Sequence, residues 1–488
     1  MRVGLLFPDR DLDLAVPAPF GWSDVEHDLG LGSVVETMAQ GDSTVQEVVR
    51  KVFAQGPSVD EPIIVHRQEA VREVLERPAL VDKLYRLAQE TLKAKRRESF
   101  GLVRHDRPYL YGAIKGMQAL LKGLRDLLSL LEAEPLARAP FLGLRDRLRA
   151  TLSPAFFWEA EEHLRSLRFP RGVWMAAGID PWGRSNDFTL LPPENRGSVW
   201  PFGKRPREYV LSLHPRDETG SRILGELREQ GIHEAAKALA TAVEEVSRFF
   251  EALRAETAFL LGATRLARRL DALGMPRAFP KPTGAARLAF RGLYDVGLAL
   301  RQGHAVGNDL EAEGRNPIFI TGANRGGKTT FLRSLGLAQV LLQAGLFVGA
   351  AAFEGSLARG LFTHFKREED SALEAGKFEE ELRRLSGIAD HLRGGALLLL
   401  NESFAATSEA EGSVLGAQVV RALTEQGVRV VFVTHFYTLA VAFQDSPGTL
   451  FLKAERLPDG TRTYRIRVER PEPSAYGEDL LRRVFGER

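Results

Sequence analysis

A chain of 488 residues, 44% hydrophobic and 27% charged, is long enough for several domains and more than one core. Its 66 basic and 64 acidic residues leave a formal charge of +2, so the whole-molecule charge announces neither a nucleic-acid binder nor an acid-binding surface, and any such surface has to be local. Cysteine is absent, which excludes disulfides, thiolate zinc sites and cysteine nucleophiles and fits a reducing cytoplasm.

The opening MRVGLLFPDRDLD holds a short apolar run broken by charge and proline, and no later stretch approaches the ~18 uncharged apolar residues of a membrane span. The expectation is a cytoplasmic protein without membrane contact, with residues 1–27 as an N-terminal strand or arm. Residues 28–170 read as a helical core, because apolar residues recur at three-to-four spacing in AVREVLERPALVDKLYRLAQETL and AIKGMQALLKGLRDLLSLLEAE. Within 171–215 the period shortens: GVWMAAGI, DFTLLPP and EYVLSLHP read as strands joined by turn-rich segments. Helical periodicity returns over 216–280 in helices long enough to act as a strut or lever, followed by the linker GMPRAFPKPTG. From 281 to 488 strands and helices alternate, the pattern of a mostly parallel sheet.

The segment NPIFITGANRGGKTTFLRSL joins a buried strand, a glycine-rich turn and a helix, and its residues Gly322, Ala323, Asn324, Arg325, Gly326, Gly327, Lys328 and Thr329 satisfy G-x-x-x-x-G-K-[ST]. Such a loop curls its amides round phosphates at the positive end of a helix, the lysine reaches the β and γ phosphates, and the threonine hydroxyl ligates Mg²⁺. ATP and Mg²⁺ are therefore the expected ligands, held by these residues with Thr330 beside them.

The run GGALLLLNES reads as a central strand delivering polar side chains to the phosphates at its carboxyl end. Glu402 is the candidate for orienting or deprotonating the attacking water; a charge that merely ends the strand is the competing reading. VRVVFVTH is a second strand of this kind, ending in His435, a candidate γ-phosphate sensor or else a capping histidine. Asn401 stands where a metal-binding carboxylate is usual. Its amide oxygen offers a lone pair without charge, so a slow or tightly gated ATPase is expected, with a binding-only site as the alternative.

These residues resemble the MutS family. Thr321 to Thr330 are similar to its Thr-Gly-Pro-Asn-x-Gly-Gly-Lys-Ser-Thr, and Phe347-Val348-Gly349-Ala350 to its Phe-Val-Pro-Ala. NESFAATSEAEG is similar to Asp-Glu-x-x-x-Gly-Thr-Ser-x-x-Asp-Gly, keeping Glu402, Thr407, Ser408 and Gly412, with Glu411 in place of aspartate. VTHF, VGND with Asn308, and SAYGEDLL resemble further stretches of the family's ATPase domain, and PIIVHRQEAVREVLERPALVDKL looks like its core domain.

The resemblance implies an α/β P-loop NTPase domain of the MutS/ABC-like kind, preceded by a mostly α-helical core and lever region with a small β insertion. It also implies Asn308 at the nucleotide, a homodimer formed through the ATPase domain, and DNA binding that depends on structure rather than base sequence. The β insertion is then a possible reduced clamp, where Lys204, Arg205 and Arg207 could contact phosphates or lie on a solvated loop. Trp158, Trp174, Trp182 and Trp200 could stack on bases, with core packing the default. Lys93 to Phe100 is a second basic cluster, read as a solvated helical face.

Three departures accompany the likeness. Core-like helices begin within the first fifty residues, so a mismatch-reading domain and connector are not expected, nor is a segment past Arg488; Phe157-Trp158-Glu159 is read as ordinary packing rather than a mismatch wedge. The serine that the family supplies across its dimer has Gly376 or Lys377 at its approximate place. The expected function is DNA binding with ATP hydrolysis on branched or other non-mismatch structures in repair or recombination. A nucleotide-gated scaffold for RNA, the ribosome or a protein is the alternative, and an ABC or SMC-type ATPase a further one.

Overall fold

The computed structural model describes residues 1–100, 108–169, 173, 175–179, 185–190, 214, 216–284, 286–367 and 376–473. Lys204, Arg205, Arg207, Trp174, Trp182, Trp200 and the stretch 474–481 lie outside them. The chain divides into two compact units, one of Met1–Val3, Lys83–Pro135 and Gly143–Arg254, the other of Gly4–Asp82, Leu136–Leu142 and Ala255–Arg488.

Eight α-helices come first among the described residues: α1 (Trp22–Asp28), α2 (Gly32–Ala39), α3 (Ser43–Gln55), α4 (Glu61–Glu76), α5 (Pro78–Phe100), α6 (Pro108–Ala133), α7 (Ala139–Thr151) and α8 (Pro154–Ser166). Local chemistry sets their ends. The Asp42 carboxylate accepts from the Thr44 and Val45 amides at the start of α3, a cap contributing about 1 kcal/mol. Val45, Val48, Val49, Val52 and Phe53 then fall on one buried face. Pro78 has no N–H to continue α4 and opens α5 instead. The basic stretch from Lys93 ends α5 with Lys93, Arg96 and Arg97 exposed, as a solvated face should be.

The first unit also holds the antiparallel hairpin of β1 (Met175–Ile179) and β2 (Ser185–Leu190), and α9 (Glu218–Ala272) up to Arg254. The long periodic segment forms one helix of 55 residues rather than several, because no proline interrupts it. α5, α6 and α9 meet at Gly123, where an added Cβ would lie 2.5 Å from the Thr91 side chain and 3.0 Å from Phe250. On α8, Phe157 is buried but Trp158 is 68% exposed, which corrects the expectation that this tryptophan packs in a core.

The second unit contains the remaining strands: β3 (Lys281–Thr283), β4 (Arg287–Leu293), β5 (Asn308–Glu313), β6 (Ile318–Gly322), β7 (Ala352–Ser356), β8 (Leu361–Phe365), β9 (Leu397–Asn401), β10 (Arg429–Val433), β11 (Leu450–Arg456) and β12 (Arg462–Val468). Between them lie α10 (Val296–Gln302), α11 (Lys328–Gln343), α12 (Lys377–Ala389), α13 (Glu409–Glu425) and α14 (Tyr437–Val441). Six strands form one sheet in the order β12-β11-β6-β10-β9-β8, parallel except for β12. A four-stranded mixed sheet has the order β3-β7-β4-β5. Covered on both faces, the parallel strands are apolar along their length: Leu397 to Leu400 and Val430 to Val433 are all buried.

Two expectations change. The segment read as a linker carries the edge strand β3; Pro282 fits there because an edge strand need not use every N–H. The first 21 residues form no strand, and instead the buried Glu256 carboxylate accepts from the amides of Leu5 (2.7 Å), Leu6 (3.1 Å) and Leu12 (3.0 Å). Residues 4–82 consequently share a compact unit with the sheets. Arg333 Nε donates to the Asp28 carbonyl at 2.8 Å, and Gln343 Nε2 to that of Gly56 at 3.1 Å.

Candidate functional site

In the six-stranded sheet the parallel strands all end on one side, where an α/β sheet binds its ligands. A cleft of about 540 Å³ opens there, lined by the glycine-rich loop, Glu402, Asn308, the start of α10 and Tyr464.

The loop leaves β6 and enters α11 through left-handed backbone at Gly322 (φ 110°), Arg325 (φ 59°) and Gly327 (φ 92°). At Gly326 no side chain fits, because a Cβ would lie 2.9 Å from both the Ala323 oxygen and the Ala454 Cβ. Arg325 pays about 1–2 kcal/mol for a conformation that suits glycine. Asn324 and Arg325 are exposed.

Lys328 is buried, and its ammonium donates to the carbonyls of Gly322 (2.8 Å) and Ala323 (3.1 Å). Burial holds it below its ordinary pKa; the Glu402 carboxylate opposes that effect and Arg462 adds to it. Next along α11, the Thr329 hydroxyl donates to Asn401 Oδ1 across 2.9 Å. The loop and the end of β9 are thus joined by a direct hydrogen bond at the position read as the metal site. Two neutral oxygens meet there, a donor set that suits a hard divalent cation with its remaining ligands coming from phosphate and water.

Glu402 lines the cleft with Lys328. It has φ 54°, and Phe404, two residues on, has φ 68°, so the backbone leaves β9 through two conformations that cost about 1–3 kcal/mol each unless held. Phe404 is fully buried in the cluster under the sheet. The motif continues into α13, where Ser408 Oγ accepts from the Glu411 amide at 3.3 Å and Thr407 hydrogen-bonds the Glu411 carboxylate. At Gly412 a Cβ would lie 2.6 Å from the Phe436 ring.

Asn308 is buried at the cleft, its Oδ1 accepting from the Ile466 amide at 2.7 Å. His435 follows β10 on the same side of the sheet, yet its side chain is exposed, packs edge-on against Phe436 at 4.5 Å and does not line the cleft. The structure therefore brings together the loop, Thr330, Asn308 and Glu402, with Asn401 reaching Thr329, and leaves His435 outside that group. Gly376 caps the start of α12.

Periodicity and motif spacing miss Tyr464, His304 and Asp295, which also line the cleft. Tyr464 reaches it because the β11–β12 pairing shifts register between Ala454 and Arg456, and at φ 59° its Cα would sit 3.5 Å from a Cβ at Gly327. A bulge of this kind re-aims one side chain, and nothing in the local sequence announces it. Asp295 caps α10, accepting from the Leu298 amide at 2.9 Å; burial raises its carboxyl's pKa, opposed by that hydrogen bond and by Arg301 and Arg333.

This geometry defines an α/β protein whose mostly parallel sheet presents a lysine-bearing glycine-rich loop and a carboxylate to a common cleft. Comparison with known families matches residues 59–273 to the MutS2 N-terminal domain and residues 318–460 to MutS domain V. The chain is 31% identical over 242 residues to the Endonuclease MutS2 of Geobacillus kaustophilus, covering 49% of this chain and 30% of that protein. It is 26% identical over 445 residues to the DNA mismatch repair protein MutS of a Thermus thermophilus strain, covering 85% of this chain and 53% of that protein. The chain belongs to the MutS family. It spans about a third to a half of the length of these two relatives. No helix among the described residues is long and apolar enough to cross a membrane.

Proposed function

We propose that the second unit is a P-loop ATPase that binds ATP at the glycine-rich loop and hydrolyses it slowly, and that the whole protein is a homodimeric DNA-binding member of the family. The observation that carries this reading is Lys328 and Glu402 sharing one cleft at the carboxyl ends of the parallel strands. The amides of residues 322–329 cradle the phosphates, Lys328 exchanges its bonds to two loop carbonyls for β and γ phosphate oxygens, and Glu402 orients the attacking water. Thr329 and Asn401 would hold Mg²⁺, which when bound neutralises charge developing on the phosphates. With an amide in place of a carboxylate at 401, the metal is held less tightly and turnover is slow.

For the DNA, the likeness to a DNA mismatch repair protein supports a role in repair or recombination; the proposed targets are branched or other non-mismatch structures, bound through salt-sensitive phosphate contacts and recognised by their shape. Lys204, Arg205 and Arg207 and the exposed Trp158 are its candidate contacts. A second reading, a nucleotide-gated scaffold on RNA, the ribosome or a protein, is favoured by Asn401 and by the exposure of His435 away from the cleft.

Steady-state ATP hydrolysis by the protein and by Glu402→Gln, without DNA and with linear duplex or four-way-junction DNA, separates the two. The proposed ATPase is stimulated by the junction and loses about 10²-fold in turnover when glutamine replaces Glu402. Turnover indifferent to Glu402 removes that residue from the mechanism, and no turnover under any condition favours the scaffold.

A further inference from the structure

The loop that carries Glu402 is held from three sides by groups that do not line the cleft. Its backbone N–H donates to the Val433 oxygen of β10 at 2.8 Å. Ser403 and His364 of β8 are fully buried, with Ser403 Oγ 2.7 Å from His364 Nδ1. His364 Nε2 lies 3.2 Å from the Glu381 carbonyl of α12. The Ser403 hydroxyl donates to the His364 carbonyl at 2.9 Å, so the serine is held to β8 at both the ring and the backbone of His364; burial, pushing the His364 pKa down to about 4, keeps the ring neutral. The Glu381 side chain closes the third side: its Oε1 accepts from the Phe404 amide at 2.6 Å. Glu381 thus binds the loop through its carboxylate and β8 through its carbonyl, while Glu402 and Phe404 flank Ser403 with φ of 54° and 68°. A backbone of that kind keeps its shape only where its surroundings over-determine it.

We propose that Glu381 is a positioning residue for Glu402: by anchoring the Phe404 amide it fixes where the Glu402 carboxylate stands in the cleft, and so governs ATP turnover rather than ATP binding. This rests on the reading of the cleft as an ATP-hydrolysing site. Glu381 does not line the cleft, so it acts on the nucleotide only through the loop. An amide oxygen at this position can accept the same hydrogen bond, whereas alanine cannot, so Glu381→Gln and Glu381→Ala divide a positioning role from a general loss of packing.

The experiment compares the full-length protein with both variants in three measurements: steady-state kcat and KM for ATP, affinity for a fluorescent ATP analogue, and hydrogen exchange over residues 401–408. Glu381→Ala should lower kcat about tenfold or more, leave analogue affinity within about twofold, and accelerate exchange at Phe404, with Glu381→Gln recovering much of the lost rate. An alanine variant with wild-type kcat and wild-type exchange overturns the proposal. So does a loss of kcat, affinity and melting temperature together that glutamine does not repair, which marks packing alone. Should the wild-type protein not hydrolyse ATP, the hydrolytic reading of the cleft falls. Exchange at Phe404 still decides the anchoring, since protection untouched by Glu381→Ala refutes it.

Discussion

Thr329 Oγ1 and Asn401 Oδ1 stand 2.9 Å apart, so the first turn of α11 and the last residue of β9 meet through a neutral hydrogen bond. A carboxylate at 401 would accept the same bond and add a charge beside the hydroxyl. Asn401→Asp should therefore lower the Mg²⁺ concentration needed for half-maximal turnover by about tenfold and raise the maximal rate. Magnesium titrations of ATP hydrolysis by the two proteins test this; superimposable curves mean that residue 401 does not approach the metal.

Lys328 is held in the cleft against a burial cost that lowers its pKa, with Glu402 as its stabilising counter-charge. Removing the ammonium leaves the loop carbonyls of Gly322 and Ala323 without their donor and, on the proposed reading, would leave the phosphates of ATP without their main cation. Lys328→Ala should weaken binding of a fluorescent ATP analogue by about 10²-fold or more while the protein still unfolds cooperatively. Binding within a few-fold of wild type would place the nucleotide elsewhere.

Much of the cleft was legible because its parts are contiguous in the chain: the glycine-rich loop and the apolar β9 run, which leads through Asn401 to Glu402, each combine a local conformation with a side chain in one short segment. Asp295, His304 and Tyr464 were not, since each enters the cleft from an otherwise ordinary helix end, loop or strand. Compact-unit boundaries were hidden for a related reason. Hydrophobic period identifies α2, α3 and α4 as helices, but which core they share depends on long-range partners such as Glu256 with Leu5 and Arg333 with Asp28. His435 shows the converse, a motif ending in the expected residue whose ring turns to solvent.

Gly349 occupies the place of the proline in the family's Phe-Val-Pro-Ala, and its surroundings explain the difference. A Cβ there would lie 2.6 Å from Val296 Cγ2 and 2.8 Å from the Tyr294 ring, and the Tyr294 amide donates to the Gly349 oxygen at 2.9 Å. Tyr294 itself is fixed by its hydroxyl, which donates to the Pro276 carbonyl at 2.9 Å. Gly349→Ala should cost roughly 1–3 kcal/mol by overpacking, read as a lower denaturant midpoint at unchanged slope. An unaltered midpoint would mean that the Tyr294 ring can give way.

Glu256 gives a pH-dependent test of the packing around the N-terminal segment. Burial pushes its carboxyl from the ordinary 4.5 up to about 7, although the amides of Leu12, Leu5 and Leu6 oppose the shift. The folded protein therefore holds a proton that the unfolded chain releases near pH 4.5, and folding takes up that proton across the interval. The contribution of this group to stability is greatest below pH 4.5, falls as pH rises through 7, and is flat above. The interval of 2.5 between 4.5 and 7 corresponds to about 3 kcal/mol. Glu256→Gln carries no such titration, so its stability relative to wild type should improve by about 3 kcal/mol between pH 4.5 and pH 8, whatever the offset at the acid end. Denaturant unfolding of both proteins at the two pH values measures the change. A difference that stays constant with pH would show that the Glu256 carboxyl does not titrate in this window and remains charged on its three amides.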